Sequence, residues 1–295
     1  MRIVIAGGSG FLGSALAARL RASGHDVVTL TRRPRRAGDV AWDPSHVSGP
    51  WVEAIGRSDA VINLAGEPIE AGRWTDARKA AIRDSRIRAT RAIVEAISSA
   101  ETTPALLNAS AIGIYGAHGD EIVTEATPPG SDFLASVCRD WEHEAEKAAP
   151  RARVVLLRTG LVLAKEGGVL PRLVTPFRLF AGGPAGSGRQ YWSWIHLHDW
   201  IGIVQHMLAS SVASGAVNLT APRPVTNMEF ATALGHALRR PSLLPTPAFA
   251  LRIMLGEMAD ALILNGQRVV PVRAEASGYK FQYETVDRAL RSLFT

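Results

Sequence analysis

The sequence predicts an α/β fold, a doubly wound parallel sheet with a small, mainly α lobe toward its C-terminus. Three observations carry this. Arg2 to Ala6 is a short β-branched run that passes straight into a glycine turn, Gly7-Gly8-Ser9-Gly10-Phe11-Leu12-Gly13. Leu12, Leu16 and Leu20 then recur at helical spacing as far as Gly24, which stands where a helix C-terminal cap belongs. A second apolar run, Val27-Val28-Thr29-Leu30, closes the unit. Strand, glycine turn, helix and strand within about thirty residues form the context in which a Rossmann fold binds a dinucleotide.

Each part of that unit has its own physical task. Ile3-Val4-Ile5 reads as a strand buried on both faces. Gly7 permits the tight turn, Gly10 leaves the backbone open to a pyrophosphate, and Gly13 allows the helix to pack close to the sheet. The free N–H groups at the helix start, with Ser9, Phe11 and Leu12 around them, then face the phosphates. At the end of the second strand, a carboxylate would bind the ribose 2′-hydroxyl of NAD, but the residues there are Arg32 and Arg33. Guanidinium groups suit a 2′-phosphate, so the expected cofactor is NADP(H). Each charge-assisted bond is worth about 1.5–3 kcal/mol, so one or two favour NADPH roughly tenfold or more. Arg35 and Arg36 read as a solvated loop.

Further along, Ala60 to Gly66 is a strand ending in a small-residue loop, and Leu106 to Gly116 is a strand carrying Ser110 and then Tyr115-Gly116. Arg158 to Leu163 reads as the next strand. With the spacing Gly7-x-x-Gly10-x-x-Gly13, these segments resemble the extended short-chain dehydrogenase/reductase superfamily. Trp194-Ile195-His196 with Asp199 and the segment from Pro245 to Phe281 narrow the resemblance. They are similar to an epimerase-like family with a distinctive small C-terminal domain. The resemblance covers essentially the whole chain. It implies cofactor contacts from Leu64, Ala65, Gly66 and Ser110, and a substrate-side loop from Gly167 to Arg189 in which Arg178 and Arg189 meet a small, anionic molecule, with Tyr191 on the substrate side in the aromatic segment that follows.

One part of the superfamily pattern is missing. Its enzymes use a Tyr-x-x-x-Lys pair, in which Lys lowers the Tyr pKa and Tyr exchanges a proton with substrate. The corresponding helix, from Phe133 to Glu142, has Leu134 and Cys138 at those positions, and no Tyr-x-x-x-Lys occurs in the chain. Three readings follow. Another group, such as Tyr115, Tyr191, His196 or the Cys138 thiol, acts as the acid; or hydride passes to a flavin- or quinone-like acceptor that needs little proton help; or the protein binds NADP(H) without turning it over, as a regulator or redox sensor. Ser110 and Tyr115 are the candidate catalytic residues. Ser110 is also explicable as a small residue at a strand end, and Cys138 as inert core.

The domain layout expected is a cofactor-binding domain over residues 1–165, completed by about 196–235. A substrate-side lobe takes residues 166–195 and 240–295. Trp74 to Ala100 is one helical pattern, and Asp199–Ala209 and Asn227–Arg239 are two more, with Val217-Asn218-Leu219 a strand between them. His196, His198 and Asp199 lack the further ligands a metal needs, so no metal is expected. The net charge of +6 comes from scattered arginines without aromatic interleaving, which argues against nucleic acid. One cysteine rules out an intramolecular disulfide. The absence of an apolar run of about 18 residues argues against a membrane span, and no signal peptide is apparent; a cytoplasmic location is expected.

Overall fold

The computed structural model describes residues 1–294. In chain order it forms β1 (Arg2–Ala6), α1 (Phe11–Ala22), β2 (Asp26–Thr31), β3 (Asp39–Ala41), α2 (Pro50–Gly56), β4 (Ala60–Asn63), α3 (Asp76–Ser98) and β5 (Ala105–Ala111). A 3₁₀ turn, Ile112–Tyr115, leads to β6 (Ile122–Val123), α4 (Phe133–Glu146), β7 (Val154–Thr159), β8 (Leu161–Ala164), β9 (Gly167–Gly168) and α5 (Leu170–Arg178). The chain continues through β10 (Tyr191–Trp192), β11 (Trp194–His196), α6 (Leu197–Ala209), β12 (Gly215–Leu219), β13 (Val225–Thr226), α7 (Asn227–Leu238) and α8 (Ala248–Leu255). The last elements are α9 (Glu257–Ala259), a π turn at Asp260–Leu264, β14 (Arg268–Val269), α10 (Val272–Ala276) and α11 (Val286–Phe294).

Seven strands form one sheet in the order β12-β7-β5-β4-β1-β2-β3, and every pairing in it is parallel. Parallel pairing needs crossover helices, which cover both faces. On one face Leu16 and Leu20 of α1 and Trp200, Ile203 and Met207 of α6 pack on Ile3, Ile5 and Ile62. On the other, Ile55 of α2 and Ile93 and Ile97 of α3 pack on Val4, Leu30 and Leu106. This double covering is why the strands read as continuous apolar runs rather than alternating ones. The strand order reverses between β1 and β4, which puts a crevice at their carboxyl ends.

Local chemistry sets the helix boundaries. Gly24, just past α1, has φ +81°, the left-handed value a terminating glycine supplies. The long helix begins at Asp76 rather than Trp74 because the Thr75 side chain accepts from the Arg78 N–H and caps it. Thr226 and Glu229 form a reciprocal capping box at the start of α7.

Two sequence expectations are corrected here. Arg158 to Leu163 is not one strand. The chain leaves the main sheet at Gly160, where an added Cβ would stand 2.6 Å from the Ser193 carbonyl oxygen. β8 then pairs with β11 in a separate small sheet. The Gly167–Arg189 stretch is not all loop either, because it contains α5.

The smaller lobe has its own core, in which Phe177, Trp194, Phe230, Leu234 and Leu290 come together. Asp199, 1% exposed, ties the C-terminal segment to the start of α6. Its carboxylate accepts from the N–H groups of Gln282 and Tyr283 (2.9 and 2.8 Å) and from the Tyr279 hydroxyl (3.0 Å). No helix among the described residues is long and apolar enough to cross a membrane.

Candidate active site

The turn after β1 is built by glycines with different constraints. Gly7 has φ +77°, and its carbonyl accepts from the Gly10 N–H at 3.0 Å. A Cβ at Gly7 would stand 2.7 Å from the Leu64 carbonyl oxygen, so this turn abuts the loop after β4. A Cβ at Gly13 would collide with the Gly7 carbonyl oxygen and stand 2.7 Å from the Gly8 Cα. Gly13 therefore sustains the turn itself, whereas its sequence position pointed to packing of helix on sheet.

At Gly10 an added Cβ would meet only the Gly7 carbonyl oxygen, at 3.3 Å, and otherwise open space. α1 starts there with no side-chain cap and no acidic residue in its first turn, whereas α3, α4 and α7 are each capped by a side chain. The first N–H groups of α1 and the positive end of its dipole are thus left facing outward, which fits the pyrophosphate of a dinucleotide. Ser9 is exposed beside them, and Leu12 is half-buried. The Phe11 ring packs directly on Gly167 and Gly168, where side chains would strike it. The β8–β9 turn thereby borders the glycine loop.

Arg32 and Arg33 follow β2 along the same edge. Both are exposed, and neither side chain has a protein partner among the described residues. The loop beyond is shaped by Asp39, whose carboxylate accepts from the N–H groups of Arg35 and Arg36, each at 2.9 Å.

The Leu64-Ala65-Gly66 loop is held by buried polar groups that sequence reasoning missed. Asn63 accepts from the Ala65 N–H (3.1 Å) and donates to Thr90 (2.9 Å) and to Asn108 (2.7 Å). The Trp141 indole donates to Thr90 at 2.8 Å. β4, β5, α3 and α4 are joined at one point. The available signal was the placement of two asparagines at the ends of apolar runs, where a buried amide needs partners.

Arg86 was also missed. It is half-buried, with two carbons and a nitrogen of its side chain 3.2–3.3 Å from where a Gly66 Cβ would be. Its guanidinium lies 5.1 Å from the Trp141 ring centroid. Nη1 donates to the carbonyls of Glu67 (3.1 Å) and Ile82 (2.9 Å). Burial lowers its pKa, and it makes no ion pair with a carboxylate among the described residues.

Ser110 and Tyr115 lie in a sealed network. The Ser110 hydroxyl, 4% exposed, donates to Glu142 at 2.6 Å. Arg158 makes a two-pronged pair with Glu142 through Nε (2.9 Å) and Nη2 (2.8 Å), and Nη1 donates to the Tyr115 oxygen at 2.9 Å. The Tyr115 hydroxyl donates to Asn218 at 2.7 Å. Burial raises the Tyr115 pKa despite the neighbouring guanidinium. For Arg158, burial lowers the pKa, but hydrogen bonds to Glu142 outweigh it and the guanidinium stays charged. Tyr115 is 1% exposed and both sides of its oxygen are engaged, so its expected role as a proton donor is corrected to a structural one.

The glycine turn, the Leu64–Gly66 loop and the end of β5 now lie along one carboxyl edge, and a family model for this architecture matches residues 3–220. The chain belongs to the NAD dependent epimerase/dehydratase family. A second model, a domain of unknown function (DUF1731), matches residues 246–293. The chain is 43% identical to "Epimerase family protein SDR39U1 homolog, chloroplastic" of Arabidopsis thaliana over 99% of this chain and 86% of that one. It is 44% identical to "Epimerase family protein Mb2239" of Mycobacterium bovis, over 98% and 96%. The crystal structure of human epimerase family protein SDR39U1, solved with NADPH, superposes with a TM-score of 0.91 at 32% identity, covering 99% of both chains.

Within this family frame, the positions of the missing Tyr and Lys are apolar. Leu134 is half-buried against Gly113. Cys138 is 4% exposed, and burial pushes its thiol up to about 12, so it is neither nucleophile nor acid at neutral pH. His196 caps α6 by accepting from the His198 N–H (3.0 Å), and burial holds it neutral with a pKa of about 4. On the other lobe, Arg178 and Arg189 are exposed and have no side-chain partners among the described residues. Tyr191 is half-buried beneath Arg268, whose guanidinium is 5.1 Å from its ring centroid. Arg178 is thus separate from the Tyr191–Arg268 pair in its contacts.

Proposed function

We propose that this chain binds NADP(H) and acts as an oxidoreductase that passes a hydride to a small molecule. The observation that carries the cofactor reading is the uncapped start of α1 behind an open Gly10, with Arg32 and Arg33 exposed at the end of β2 and without side-chain partners among the described residues. A human relative crystallised with NADPH supports it. The bound cofactor would supply the hydride. Gly7, Ser9, Gly10, Phe11, Leu12 and Gly13 would hold its pyrophosphate, and Arg32 and Arg33 its 2′-phosphate. Leu64, Ala65, Gly66 and Ser110 would flank it, and Arg86 would place a cation beside it. Arg178, Arg189 and Tyr191 are the proposed contacts to the other substrate.

A second reading is a regulator that binds NADP(H) without turnover. The engaged hydroxyls of Ser110 and Tyr115 favour it, because they leave no obvious acid. Titration with NADPH and NADH, followed by a screen of hydride acceptors, separates the two. Tighter binding of NADPH is expected. Equal affinities would remove the 2′-phosphate role of the arginines, and binding of neither would overturn the proposal.

A further inference from the structure

The C-terminal lobe carries an apolar face that its own core does not cover. The chain from Phe180 to Gly186 runs beside the chain from Arg240 to Ala248. The Arg240 guanidinium stands 4.7 Å from the Phe180 ring centroid, and the N–H groups of Leu244 and Thr246 donate to the carbonyls of Gly182 (3.1 Å) and Pro184 (2.8 Å). Leu179, Phe180, Leu243 and Leu244 all stand exposed on these adjoining segments. α8 follows directly. It buries Leu251, while Phe249 and Ile253, one helical turn apart, stay exposed. Phe180 has φ +59° and sits just past the end of α5, where a left-handed glycine is usual. Its ring is 60% exposed, so the fold gains little from a phenylalanine at that position. Exposed apolar side chains gathered in this way mark a contact surface.

The charge around this face selects the partner. No acidic residue occurs between Glu166 and Asp199 or between Glu229 and Glu257, whereas each of these stretches holds three arginines. Arg239 is exposed, and its side chain has no partner among the described residues. Of the acids that follow α8, Glu257 is paired with Lys79 (2.5 Å) and Asp260 with Arg252 (2.8 Å). The face is therefore both apolar and cationic. Two copies meeting through it would set arginine against arginine, which disfavours a self-contact. We propose that this face docks on an anionic phospholipid bilayer. Phe180, Leu243, Leu244, Phe249 and Ile253 enter the boundary between headgroups and acyl chains, and Arg239 and Arg240 meet the lipid phosphates. Apolar insertion and attraction to anionic headgroups add, and together they hold a peripheral protein where one alone attaches it weakly. The contact is peripheral, so it needs no spanning helix. None of these residues belongs to the cofactor or substrate contacts proposed above.

The test is flotation of the full-length protein with vesicles of phosphatidylcholine alone and of phosphatidylcholine mixed equally with phosphatidylglycerol. Binding to the mixed vesicles, little binding to the neutral ones, and release at high salt are expected. Arg239→Gln should weaken binding about fivefold and Phe249→Ser about tenfold. Both are surface changes, so Tm and NADPH affinity should stay at their wild-type values. Val212→Ser removes an exposed apolar side chain outside this face and should leave vesicle binding intact. If the mixed vesicles are not bound, or both kinds are bound equally, or Phe249→Ser binds as wild type does, the lipid assignment is wrong. A dimer in sedimentation equilibrium that Phe249→Ser dissociates would give the face to a second copy instead. Binding to soluble polyglutamate but not to vesicles would point to an acidic protein and likewise overturn the proposal.

Discussion

Replacing Gly10 and Gly13 one at a time by alanine is expected to separate binding from folding at the glycine turn. At Gly13 the atoms nearest the new methyl would all be main chain: it would stand 2.7 Å from the Gly8 Cα and collide with the Gly7 carbonyl. That is nearly an ångström inside the usual carbon–carbon contact distance of about 3.5–4.0 Å. Backbone cannot rotate away as a side chain does, so the cost lies near the upper end of overpacking, about 3 kcal/mol. Gly13 lies within α1, where alanine recovers about 1 kcal/mol of helix propensity. The net loss is about 2 kcal/mol, or a fall of roughly 3 °C in Tm.

At Gly10 the backbone is extended (φ −77°, ψ 176°), which alanine adopts freely. The methyl would meet only one protein atom, at 3.3 Å, but it would fill the space in front of the α1 N–H groups. Gly10→Ala is therefore expected to change the Tm of the free protein by under about 2 °C. Its NADPH affinity is expected to fall about 100-fold, or roughly 2.7 kcal/mol. Thermal melts with and without NADPH read both quantities, because a ligand bound only to the native state raises Tm with the logarithm of its saturation. If Gly10→Ala keeps the full NADPH-induced shift, the phosphate loop is misassigned. A Gly13→Ala protein as stable as wild type would refute the steric argument.

Three further outcomes are expected. Arg32→Glu should invert the cofactor preference, shifting the NADPH/NADH affinity ratio by tenfold or more in a direct titration; an unchanged ratio removes Arg32 from the 2′-phosphate site. Glu142→Gln leaves the Arg158 guanidinium buried without its anion and should cost about 3–5 kcal/mol in denaturant unfolding, whereas Glu142→Gln with Arg158→Met should recover much of that. Equal losses in the single and double variants would mean that the charges are not coupled. His196 has a folded pKa of about 4 against an ordinary 6.5, so the unfolded chain binds the extra proton. Its contribution is complete above pH 6.5 and is lost as pH falls toward 4, by about 3 kcal/mol in all. His196→Asn keeps a capping side chain and should flatten that slope. A slope identical to wild type would assign it to other groups.

The first thirty residues were legible because every signal in them is local. A β-branched run, glycines at a turn and a leucine repeat act over a few residues, and the strands and helix they specify form where expected. The exposed Arg32 and Arg33 were readable for the same reason, as they directly follow a strand whose end is clear. The absence of a Tyr-x-x-x-Lys pair is likewise a fact of the chain alone. The fate of the remaining candidates was not local. Ser110 and Tyr115 are committed by Glu142, Arg158 and Asn218, which lie 32, 43 and 103 residues from their partners. No spacing rule joins positions so far apart, since they meet only when β5, β7, β12 and α4 converge. Arg86 looked like one arginine among many on a charged helix, and only packing against Trp141 and Gly66 leaves it desolvated and, among the described residues, without a carboxylate partner. Thus the amino-acid sequence by itself determined the cofactor-binding unit, through short-range backbone sterics and periodicity. Tertiary structure alone decided which polar groups are spent on the core and which remain free for chemistry, because that follows from burial and long-range partners.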